Sequence, residues 1–131
     1  MDQRLRDFFD KQLETVLYDL PERILRLLDE VPLHVEDYPA PELLEELGVE
    51  YRDELCGLHT GIPLTERSVM HSGIPGNVVT VYREGIFRLA ENERGELDLN
   101  ELRRQIRITV LHELAHYHGI GEEELRELGY G

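Results

Sequence analysis

The sequence predicts one mixed α/β domain of the α+β kind over residues 1–131, a small mixed sheet packed on a central helix. Three observations predict it. The segment from Asp98 to His118 places Leu102, Ile106, Val110 and Leu114 at four-residue steps, the mark of a long helix buried along one face. The run Val78-Val79-Thr80-Val81-Tyr82 is β-branched and bounded by Gly76-Asn77 and Gly85, which marks a strand. A chain of 131 residues with 40% hydrophobic side chains suits one core and leaves little room for a second.

The remaining elements follow in chain order. Leu5, Phe9, Leu13, Val16, Leu17 and Leu20 recur at helical spacing, predicting a helix over Asp2–Leu20. Pro21 reads as the first residue of a second helix with Ile24, Leu25, Leu27 and Leu28 as its apolar residues, and Val31-Pro32 ends it. Leu33-His34-Val35-Glu36 alternates apolar and polar, a short strand. Pro39 and Pro41 open a short helix through Leu47 that Gly48 closes. Gly57 to Gly76 holds four glycines and two prolines in twenty residues and reads as loop, with room for a strand at Gly57-Leu58-His59. Irregular stretches of that length in compact domains are usually functional or mobile. Ile86–Ala90 reads as helical and Asn92-Glu93-Arg94-Gly95 as a turn. Asp98 and Glu101 form a capping-box pattern at the start of the central helix, with Ile108, Leu111 and Ala115 widening its apolar face. That helix runs to about His118, where Gly119 stops it, and a last short helix covers Glu123–Leu128.

Composition excludes several classes. The net charge of −14 argues against a nucleic-acid binder, since phosphate contacts need a clustered basic surface. Thirteen of the 14 basic residues are arginine, with Lys11 the exception, a skew that says nothing direct about chemistry. Acidity of this kind reads first as a solvated, self-repelling surface and only second as a field that gathers a cation. No apolar run approaches the ~20 residues that span a bilayer, so no membrane is expected. Charge at the N-terminus, where a secretory signal would be apolar, and the single cysteine, Cys56, fit a cytoplasmic protein without disulfides.

The end of the central helix carries the chemistry: His112-Glu113-Leu114-Ala115-His116-Tyr117-His118-Gly119-Ile120-Gly121-Glu122. Four residues apart, His112 and His116 share a helix face one turn from each other and can reach one Zn²⁺ at about 2.0–2.1 Å. Glu113, beside His112, is angled to reach a water on the open side of the ion and to take its proton. A catalytic zinc needs a third protein ligand and an open position. Gly119 can turn the chain back, and spacing then favours Glu122 over Glu123 and Glu124, although such an acidic run also suits a helix start. A shuffled chain of this composition would show H-E-x-x-H roughly 4% of the time, and the longer pattern ending in Gly and Glu roughly 0.05%, so the longer pattern is the one that carries weight. His118 lies about 200° round the helix from His116 and cannot share its metal.

With these residues in view, the chain resembles the small bacterial zincin-like metallopeptidases, or minimal zincins. The likeness covers Val31-Pro32, Val35-Glu36-Asp37-Tyr38-Pro39, Gly61-Ile62-Pro63-Leu64-Thr65-Glu66-Arg67-Ser68, Val81-Tyr82-Arg83 and His112 to Glu122. It implies a minimal zincin-like fold whose central helix carries HExxH, with His112, His116 and Glu122 as ligands of one zinc per chain and Glu113 as catalytic base. It also implies hydrolase chemistry on a peptide or protein substrate and leaves the substrate open.

Other residues are weighed beside these. The strand Val78–Tyr82 either borders the cleft and pairs with an extended substrate or packs simply on the central helix. Arg67 and Tyr82 are the first candidates to hold an oxyanion, while Thr65-Glu66-Arg67-Ser68 either lines the cleft or braces its loop. His34, His59, His71 and Cys56 read as structural or surface residues, and Tyr117 as packing. The expected function is a zinc metallopeptidase. The alternative is a non-catalytic zinc-binding or protein-interaction module on the same fold, since so short a chain has little material to wall a cleft.

Overall fold

The structure is a computed structural model that describes residues 1–61, 77–118 and 122–127, the side chains of Tyr117, His118, Glu122, Glu124 and Leu125 excepted. Helix α1, Gln3–Tyr18, starts where the Asp2 carboxylate accepts the Arg4 backbone N–H at 2.7 Å, and it buries Phe9, Leu13 and Val16. Helix α2 is Glu22–Glu30, with Pro21 as its cap rather than its first residue. Strand β1, Leu33–Glu36, follows, and helix α3, Pro41–Leu47, ends on Gly48 at φ 71°, the left-handed geometry a glycine supplies. A 3-10 turn at Arg52–Glu54 leads into strand β2, Gly57–Thr60. The irregular stretch expected after it falls outside the described residues from position 62 to 76.

Strand β3, Val78–Tyr82, is the middle of a three-stranded sheet ordered β1-β3-β2. It runs parallel to β1, with Leu33 opposite Val79 and Val35 opposite Val81, and antiparallel to β2, with Gly57 opposite Val81 and His59 opposite Val79. A strand flanked on both sides has no free edge, so β3 cannot pair with a substrate backbone, and the packed-strand reading is the one observed. Its β-branched run suits that central place, where Val79 and Val81 are fully buried.

Helix α4, Arg83–Ala90, begins directly at the end of β3, three residues before its apolar residues gave notice of it. A Cβ on Gly85 would collide with the carbonyl of Leu55, so glycine lets the first turn of α4 lie against the chain entering β2. The Asn92–Gly95 turn is held by the Asn92 side-chain oxygen, which accepts from Arg94 N at 2.8 Å and Glu96 N at 3.0 Å. Asp98 then caps helix α5, Leu99–His118, accepting the Glu101 N–H at 3.0 Å, as the capping pattern predicts.

Helix α5 is central to the core. Leu102, Ile106, Val110, Leu111 and Leu114 are fully buried, joined by Phe9 of α1, Ile24 of α2, Val79 and Val81 of β3 and Ile86 of α4. Ile108 departs from the expected apolar face: it is only half-buried and borders a cleft. Helix α6, Glu122–Glu127, starts one residue earlier than expected. The frame is braced away from this helix by Asp37, which accepts from Arg6 at 2.7 Å and from Arg83 at 2.9 Å, while Arg83 also reaches Asp10. The Arg6 hydrogen bond, aided by Arg83, holds the Asp37 carboxyl below the usual carboxylate range against the opposing effect of burial. No helix among the described residues is long and apolar enough to cross a membrane.

Candidate metal centre

The same helical geometry that buries Leu111 and Leu114 turns His112 and His116 outward together, one turn apart on the rim of α5. Their ring centroids lie 4.5 Å apart at an interplanar angle of 68°. Glu113 sits between this exposed rim and the buried stripe. It is almost wholly buried, and its Oε2 lies 3.5 Å from His116 Nδ1. One ligand atom from each of the three residues falls within 4.8 Å of the others.

Glycine explains why Glu113 can be so deep. Gly57 stands on β2 where α5 crosses, and a Cβ there would come 2.6 Å from Thr109 Cγ2, 3.2 Å from Glu113 Cγ and 3.2 Å from the Thr80 carbonyl oxygen. Only a residue without a side chain lets the helix lie this close to the strand. Thr109 is pinned in that contact because its hydroxyl donates to the Gln105 carbonyl at 2.8 Å. Gly57 and Thr109 are therefore site residues that the motif does not reveal. A glycine within an otherwise extended tetrapeptide is the signal that could have found them.

The donor set fits a zinc ion. Burying a carboxylate is unfavourable unless a cation or hydrogen bonds compensate it, and among the described residues the ion-pair partner found for Glu113 is His116. Two imidazoles on a rim open to solvent are nitrogen donors of the kind found at catalytic zinc sites, and the Glu113 carboxylate stands beside them. Glu122 opens α6, a short step along the chain from His116, and its side chain lies outside the described residues. Tyr117 and His118 continue α5, and nothing is described of their side chains.

Beside the donors a shallow cleft of about 270 Å³ runs back along α5 from His112 and Glu113 to Ile108 and Gln105. Cys56 and Glu54, on the chain entering β2, face it from the opposite side. Cys56 is half-buried, and burial raises its thiol pKa, with the Arg88 charge opposing weakly, so it is no ready thiolate. His59 Nε2 lies 2.7 Å from Asn77 Oδ1, which accords with a structural role, and His34 is exposed on β1. Tyr82 is displaced from its expected part. It follows Val81, whose neighbour Gly57 faces α5, so Tyr82 projects from the other face of the sheet, buried, with its pKa raised by desolvation and by the Glu36 charge. Arg67, the Thr65–Ser68 stretch and His71 lie outside the described residues.

A buried helix presenting two imidazoles one turn apart with a carboxylate between them, laid on a small mixed sheet, is a zincin-like arrangement with a candidate metal site. The family model of zincin-like metallopeptidases matches residues 28–131, and the chain belongs to that family. No curated protein matches it.

Proposed function

We propose that the protein is a zinc-dependent peptidase. The observation that carries this reading is the convergence of His112, Glu113 and His116 within 4.8 Å at the exposed end of a buried helix, in a chain of the zincin-like family. His112 and His116 would hold the ion through imidazole nitrogens, with Glu122 as the third ligand. When bound, zinc supplies Lewis-acid chemistry, acidifying a water molecule and polarising the scissile carbonyl. The other contributions are made by the chain. Glu113, held deep by the close approach of α5 to Gly57, takes the proton of the attacking water at its carboxylate and passes it to the nitrogen of the leaving amine. Strand β2, which pairs only with β3 among the described residues, offers the backbone edge along which an extended peptide would lie. On this reading the substrate is a peptide or protein and the setting cytoplasmic.

The test combines metal content with turnover. Protein loaded with zinc should hold one ion per chain and cleave members of a peptide library. Glu113→Gln should keep the zinc and lose cleavage by about 10²–10⁴-fold, the usual contribution of a general base. Undiminished cleavage by that variant would refute the role of Glu113. Bound zinc with no cleavage of any peptide or cellular protein would favour the non-catalytic module instead.

A further inference from the structure

The cleft beside the metal donors is built unevenly along its length. Near Glu113 its walls are Gly57 and the Thr109 methyl, and further on Ile108, Cys56 and Leu89 make it apolar. From Glu113 back to Gln105 is eight residues of helix, so the cleft runs about 12 Å. Glu54, exposed and three residues before Gly57 on the chain entering β2, also lines it and is its acidic residue besides Glu113. Gln105 marks the end of the cleft away from Glu113, its Nε2 committed to Glu101 at 2.8 Å.

The charges beside Glu54 in the chain leave it as the acceptor. The nearby cation Arg88, whose charge reaches Cys56, faces Asp53 at 3.6 Å. Arg52 is bound to Glu84 at 2.8 Å. Among the described residues Glu54 has no ion pair.

Resting on the peptidase reading above, we propose that this cleft is the side-chain subsite next to the scissile bond. It accepts an arginine or lysine whose aliphatic stem lies along the apolar walls and whose charged head pairs with Glu54. Long basic side chains are suited to such a place because the stem prefers apolar surface while the head stays in water. Short side chains would leave Glu54 unmet, and acidic ones would be repelled by it. The net charge of −14 acts in the same direction, drawing cationic segments toward the protein.

The test uses zinc-loaded full-length protein and one cleaved peptide, resynthesised with Arg, its neutral isostere citrulline, Leu or Glu at each position flanking the scissile bond. At one position Arg should exceed citrulline by about fivefold in kcat/KM, the size of an exposed ion pair. Glu54→Gln should erase that difference, and Glu54→Lys should turn the preference toward Glu, both with zinc content and circular dichroism unchanged. Binding of the same dye-labelled peptides to zinc-loaded Glu113→Gln, read by fluorescence polarisation, should show the same order. Equal use of Arg and citrulline, or a preference that Glu54→Lys leaves unchanged while cleavage persists, overturns the proposal and leaves the peptidase reading standing. If no peptide is bound or cleaved, both are overturned.

Discussion

Replacing Gly57 by alanine would put a methyl group 2.6 Å from Thr109 Cγ2, with Glu113 Cγ and the Thr80 carbonyl oxygen each at 3.2 Å. The neighbours cannot all yield. Thr109 is fixed by its 2.8 Å hydrogen bond to the Gln105 carbonyl, and Thr80 belongs to the central strand. Overpacking of this kind costs about 1–3 kcal/mol. Alanine also narrows the unfolded ensemble, which returns about 0.4–1 kcal/mol. The net loss is then about 1–2 kcal/mol, a fall in Tm of about 4–8 °C for a chain this size. Thermal unfolding by circular dichroism measures it, and peptide hydrolysis by the same variant should fall as well, because the strain displaces Glu113. Thr109→Ser removes the obstructing methyl and keeps the hydroxyl, so it should be less harmful beside Gly57→Ala than in the wild type, a favourable coupling in the double-mutant cycle. An unchanged Tm in Gly57→Ala, or strict additivity in the cycle, would refute the claim that glycine sets the distance between β2 and the metal helix.

Other perturbations separate the parts of the site from the frame. His112→Ala and His116→Ala should each lose bound zinc in elemental analysis, and Glu122→Ala should weaken it where Glu123→Ala does not. Asp98→Ala removes the cap of α5 and should cost about 1 kcal/mol in urea unfolding. The depressed pKa of Asp37 has a defined sign: its contribution to stability is present above the ordinary carboxylate value of 3.8 and is lost as pH falls through the lower folded value. The stability gap between wild type and Asp37→Asn should therefore be open at pH 7 and narrow as pH falls below the ordinary value of 3.8, as followed by denaturation across that range.

Local signals in this chain were legible and pairings were not. The helix α5, its Asp98 cap and the two outward histidines follow from spacing alone, because a 3.6-residue period determines which side chains share a face. Strand β3 was legible as a strand but not as the central one, since its two neighbours are set by contacts distant in sequence. The same non-locality hid the position of Tyr82, which alternation places opposite Val81 only once the helix-facing side is known. Ile108 fits the apolar pattern yet is only half-buried, because the cleft between α5 and the chain entering β2 opens beside it. Gly57 opens a glycine-rich stretch with room for a strand at Gly57-Leu58-His59, and that strand is β2, but the reason for the glycine is the helix lying across it.

One measurement bears most directly on the zinc centre: an anomalous-scattering map, collected at the zinc absorption edge, from crystals of the metal-loaded protein. The account predicts a single strong peak between His112 and His116, with the Glu122 carboxylate as third ligand, one position left to water, and the Glu113 carboxylate beside that water. No peak at the two histidines, or a closed shell of four protein ligands, would contradict it.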